Sequence, residues 1–64
     1  MEPKDRLKQI RSITGMTQHT FADRFNIPHS TYEQWEMGIR KPPVYVVDMI
    51  ETIVHLERGD TDVM

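Results

Sequence analysis

Cysteine is missing from all 64 residues, so neither a disulfide nor a thiolate zinc site can stiffen the chain. That absence suits a reducing compartment and predicts a cytoplasmic protein. Long hydrophobic runs are missing too. The longest apolar stretch, Val44 to Val47, falls far short of the roughly 20 residues a membrane helix needs. Residues 1–15 hold four basic side chains and no continuous apolar segment, so no signal peptide is expected. Glycine is scarce. Gly15, Gly38 and Gly59 stand far apart, which leaves no glycine-rich loop to cradle a phosphate. An excess of positive charge is also lacking. The net charge is −2, which argues against indiscriminate binding to a polyanion. A chain this short buries only about 60% of its unfolded surface, so its core must be economical and dimerisation would help it.

What charge there is lies unevenly. Residues 1–43 carry seven basic side chains against five acidic, and residues 44–64 carry one against five. The front is mildly basic and the back acidic. This is either ordinary surface solvation or a sign that only the front approaches a polyanion.

Breaks at Gly15, Asn26 to Pro28, and Gly38 to Pro43 separate four helical segments. The first runs from Pro3 to about Ser12, with Leu7 and Ile10 as its apolar stripe and Ile13 near its end. The second runs from Thr17 to Phe25. Thr17 is a good N-cap, Met16 and Phe21 have the spacing of a hydrophobic staple, and Phe21, Ala22 and Phe25 form the buried face. Asn26 tolerates the left-handed backbone that often ends a helix. The third runs from Pro28, at the first helical position, to Met37. The fourth runs from Pro43 or Val44 to Arg58. One domain over residues 1–59 is expected, followed by a short acidic tail over 60–64 that is expected to be disordered.

At 100° per residue, the third segment places Tyr32, Trp35 and Glu36 on one side. The other side presents His29, Ser30, Glu33 and Gln34. These are short, mixed donors and acceptors rather than long cations, with Glu33 accepting only when ionised. Such a face suits the edges of bases in a major groove. It is equally compatible with a solvated polar face.

The segment Thr17-Gln18-His19-Thr20-Phe21-Ala22-Asp23-Arg24-Phe25-Asn26-Ile27-Pro28-His29-Ser30-Thr31-Tyr32-Glu33-Gln34-Trp35-Glu36-Met37-Gly38 resembles the helix-turn-helix of phage-repressor-like (Cro/CI, XRE-type) regulators. The likeness extends upstream to Leu7, Ile10 and Arg11, and downstream to Arg40, Lys41 and Pro42. It implies an all-α fold, a compact repressor-like bundle of four or five helices around a central helix-turn-helix. It also implies transcription regulation by occupying an operator in double-stranded DNA. Ala22 would sit where two helices cross closely, Ile27 would plug the turn, and Trp35 would anchor the third helix. Arg11 and Glu36 would form a partly buried ion pair. Thr17, Gln18, Arg40 and Lys41 would meet phosphates. His29, Ser30 and Gln34 would read bases, with Glu33 beside them. Gln34 suits adenine, Glu33 suits cytosine, and His29 could donate to guanine. Pro28 stands where the family usually has Ser or Thr, and Met37 where it often has a polar or basic residue.

The fourth segment has apolar residues on more than one face. A stripe of Val46, Ile50, Ile53 and Val54 can pack on the core. Tyr45, Val47, Met49 and Leu56 are then candidates for a homodimer interface, and a twofold dimer would set two reading helices about 34 Å apart.

No enzyme is expected. His19, His29 and His55 are scattered, with no carboxylate placed to make a convincing triad. His29 and Glu33 lie at i, i+4, but two ligands do not make a structural zinc site. No metal, cofactor, small-molecule ligand or membrane partner is expected. The competing reading keeps the fold but makes it a protein-interaction module. The apolar fourth helix and acidic back would then bind a second protein, such as a toxin or another regulator, with DNA contact secondary.

Overall fold

A computed structural model describes residues 2–59. The expectation for the tail over 60–64 lies outside the described residues. Four helices follow in order: α1 Pro3–Thr14, α2 Gln18–Arg24, α3 His29–Met37 and α4 Val44–Arg58. No strand occurs among the described residues. None of these helices is long and apolar enough to cross a membrane.

Local signals fix the boundaries. α1 runs past Ser12 to Thr14, because nothing stops it before Gly15 takes the left-handed conformation, φ 76°. Thr17 caps α2 by accepting from the Thr20 N–H at 3.2 Å. The far end of α2 closes through Asn26, at φ 60°. Asn26 N–H donates to Asp23 O at 3.1 Å and Ile27 N–H to Ala22 O at 2.9 Å. This is the double bond pattern of a Schellman stop, with Asn supplying the left-handed residue where glycine is commoner. Pro28 is the N-cap of α3 rather than its first helical residue. Its ring has no N–H to lose, and its carbonyl accepts from Tyr32 N–H at 3.0 Å. Pro43 caps α4 in the same way.

The core joins Leu7 and Ile10 of α1, Phe21 and Ala22 of α2, Tyr32 of α3, and Val47, Ile50 and Val54 of α4. α1 packs against both α3 and α4, and α2 packs against α3. Fully buried Ala22 suits the close α2–α3 approach, where a larger side chain would push the helices apart.

Two expectations are corrected here. Tyr32, not Trp35, is the main anchor of α3. Tyr32 is fully buried with its ring 5.6 Å from that of Phe21, whereas Trp35 is only partly buried and meets Tyr32 edge-on. Val47 is no interface residue, since it is fully buried in the monomer. The core stripe of α4 is Val47, Ile50 and Val54, spaced i, i+3, i+7 along one face. Val46 flanks it, partly buried. Tyr45, Met49 and Leu56 remain exposed, joined by Val44.

Ion pairs tie α4 to the front of the molecule. Arg6 reaches Asp48 and Glu51, both at 2.7 Å, and Arg24 pairs with Glu57. Much of the acidic excess of α4 is therefore met within the chain.

Candidate nucleic-acid interface

The turn formed by Phe25 to Pro28 sets α3 across α2, and Tyr32 and Glu36 pin the inner side of α3. The outer side carries His29, Ser30, Glu33 and Gln34. His29 and Ser30 are exposed, and Glu33 and Gln34 are half-buried along the helix flank.

Glu36 is the one buried charged residue among those described, at 2% exposure. Three donor contacts compensate it. Arg11 gives Nε to Oε2 at 2.8 Å and Nη2 to Oε1 at 3.1 Å, and Gln18 Nε2 donates to Oε1 at 2.9 Å. Arg11 also donates from Nη1 to the Met16 carbonyl at 3.1 Å. The carboxylate thus joins α1, α2, α3 and the loop before α2. Burial pushes the Glu36 carboxyl upward, but hydrogen bonds led by Arg11 outweigh it and hold the group below its ordinary value. Arg11 is raised in turn, first by its hydrogen bond to Glu36. The Tyr32 hydroxyl is buried beside this pair without a hydrogen bond of good geometry. It is raised above its usual range by burial first, then by the neighbouring Glu36 carboxylate.

This arrangement alters the role expected of Gln18. The resemblance assigns its side-chain amide to a phosphate, yet the amide nitrogen turns inward to Glu36 because the buried carboxylate needs another donor. The Gln18 backbone N–H, in the first turn of α2, still has no intrahelical acceptor. Thr17 stands beside it, and its hydroxyl donates to Thr20 Oγ1 at 3.0 Å.

Beyond α3, the chain folds back over the helix end. Ile39 and Arg40 N–H groups both donate to Gln34 O, at 3.0 and 3.3 Å. Gly38 has φ 82°, and a side chain there would meet Lys4 Cδ at 3.2 Å. Lys4 therefore lies against the C-terminus of α3, where a cation is favoured by the helix dipole. Lys4, Arg40 and Lys41 line one small cleft together with Glu2, Trp35 and Gly38, so one carboxylate stands among the three cations. Lys4 was not legible as part of this cluster, because it lies far from Arg40 in sequence.

Two of the three histidines, His19 and His29, come together in space. His19 Nε2 lies 2.7 Å from Glu33 Oε2, and His29 Nε2 lies 2.7 Å from Asp23 Oδ1. The two imidazoles stack between these contacts, with centroids 4.2 Å apart and planes 9° from parallel. His19 and Asp23 carry no sequence signal of their own. Only the α2–α3 crossing brings them to the outer face of α3. Among the described residues, no group of three or more His, Cys, Asp or Glu is arranged to hold a metal ion.

A family model described as helix-turn-helix matches residues 7–52, well over half of the chain. No curated protein and no solved structure matches it. The matched stretch runs from Leu7 through the Arg11–Glu36 pair and both helices of the motif into α4. The chain accordingly belongs to the XRE-type helix-turn-helix family, a family of DNA-binding transcription regulators.

Proposed function

We propose that the chain is a sequence-specific transcriptional regulator that occupies an operator by setting α3 into the major groove of duplex DNA. The observation that carries this reading is the outer face of α3. His29, Ser30, Glu33 and Gln34 line it, while Tyr32 and Glu36 lock the opposite side to the core. A helix held from behind can present side chains to base edges without moving. In this reading Thr17 and the Gln18 backbone N–H at the start of α2, and Arg40 and Lys41 after α3, meet phosphates, and Lys4 joins them. The protein acts by binding, not catalysis, and works in the cytoplasm.

A homodimer completes the reading. Val44, Tyr45, Met49 and Leu56 are exposed on α4. An apolar groove lined by Phe25, Ile27, Tyr45, Val46, Met49 and Ile53 lies beside them. Pairing two copies through this face would double the phosphate contacts of a chain that has few cations.

The same apolar face favours a second reading, in which another protein covers α4 and DNA binding is secondary. Anisotropy titration against the promoter of the protein's own gene separates the two. Saturable binding that is lost in Gln34→Ala and weakened in Lys41→Ala supports the regulator. No detectable binding at low salt, together with a tight protein partner in pull-down, overturns it.

A further inference from the structure

We propose that His19 and Asp23, both on α2, determine which bases α3 selects by holding Glu33 and His29 in fixed orientations and protonation patterns. This inference rests on the DNA-reading function proposed above.

The four side chains form a continuous string across the two helices: Asp23 to His29, His29 stacked on His19, and His19 to Glu33. Burial does not account for it. The side-chain exposures are 71% for Asp23, 43% for His29, 58% for His19 and 40% for Glu33. Pairs so exposed add little to folding stability. What they do is restrict the two α3 side chains before any ligand arrives. That removes part of the ordering cost of binding.

The chemistry of the contacts also sets what is offered to a base. An ionised carboxylate only accepts hydrogen bonds, so the nitrogen facing it must carry the proton. In the neutral ring of His29, the Nε2 proton faces Asp23, and Nδ1 is left as an acceptor. Glu33 accepts from His19 on Oε2 and keeps Oε1 as an acceptor. Both side chains thereby present acceptors. In the major groove the complementary groups are the amino donors, N6 of adenine and N4 of cytosine. Without Asp23, His29 could adopt either tautomer and donate to guanine equally well. Without His19, Glu33 is free to swing away from the reading position. Neither α2 residue needs to touch a base.

The test is selection of bound sequences from a randomised duplex library, run in buffer well above the ordinary histidine range. It compares the wild type with His19→Ala, His19→Gln and Asp23→Ala. Gln can donate from its amide nitrogen to Glu33 much as the imidazole does. Wild type should prefer an amino-bearing base at two columns of each half-site. Asp23→Ala should reduce that preference over guanine at one column by about threefold, and His19→Ala should do so at the other, which is the size of bias an exposed pair can supply. His19→Gln should retain the wild-type pattern, and all variants should melt within a few degrees of wild type. Variants that select the wild-type sequence with unchanged ratios overturn the proposal while leaving the DNA-reading function standing. A uniform loss across every column also overturns it, since that reports weakened folding or phosphate contact. A wild type that selects no sequence overturns both readings.

Discussion

Arg11 grips Glu36 with two nitrogens, Nε at 2.8 Å and Nη2 at 3.1 Å. Removing one member of a buried pair costs about 3–5 kcal/mol, because the other is left charged and unmatched. A domain of this length has about 3–10 kcal/mol in all. Arg11→Met should therefore lose a large part of its stability, read as a much lower urea midpoint by far-ultraviolet circular dichroism. The double replacement Arg11→Met with Glu36→Met should recover most of the lost stability in urea titration. A single variant as stable as wild type would show that the pair does not hold the helices.

Acid should loosen the same joint. The folded Glu36 carboxyl lies below its ordinary value, so the unfolded chain takes up a proton more readily than the folded one. The stabilisation is complete above the unfolded value of about 4.3. It fades as pH falls through the lower folded value. The urea midpoint should drop between neutral pH and pH about 3, and Glu36→Gln should flatten that drop.

Tyr32→Phe should be neutral or stabilising, by up to about 1 kcal/mol, because it deletes a buried hydroxyl that has no good partner. Thermal melting reads this directly. A loss well beyond that size would mean the hydroxyl bonds to Glu36 in solution.

The framework of the domain was legible because its signals are local. Thr17, Asn26 and the glycine after α3 each set a helix end through neighbouring residues. Arg11 lies on α1, upstream of the motif, 2.8 Å from Glu36, so no local signal joins the two and only the family resemblance suggested the pairing. The phase of α4 was less legible. Val46 and Val47 are adjacent and chemically identical, so only packing against α1 decides which one is buried. The same limit hid His19 and Asp23, whose partners lie on another helix across an exposed surface.

Salt dependence should separate the proposed phosphate contacts from the proposed reading face. Lys4→Ala, Arg40→Ala and Lys41→Ala should each weaken binding to every sequence alike. Each should reduce the slope of log affinity against log salt by about 1. Gln34→Ala should instead relax preference at one base and leave the slope unchanged.

The apolar face of α4 can be tested by charge. If two copies pair through this face as proposed, Tyr45→Glu with Met49→Glu should give a folded monomer in sedimentation equilibrium, because both side chains are exposed. Val47→Glu should unfold the chain, because that residue is in the core. An association state unchanged by the double variant would place the interface elsewhere.

Arg6 and Arg24 face α4 rather than solvent at large. A regulator with so few loose cations has a weak hold on unrelated sequence, and it leaves a random stretch of chromosome soon after landing. For the proposed regulator, fewer copies would then be held along unrelated sequence. Search would proceed mainly by repeated three-dimensional encounters rather than by long slides.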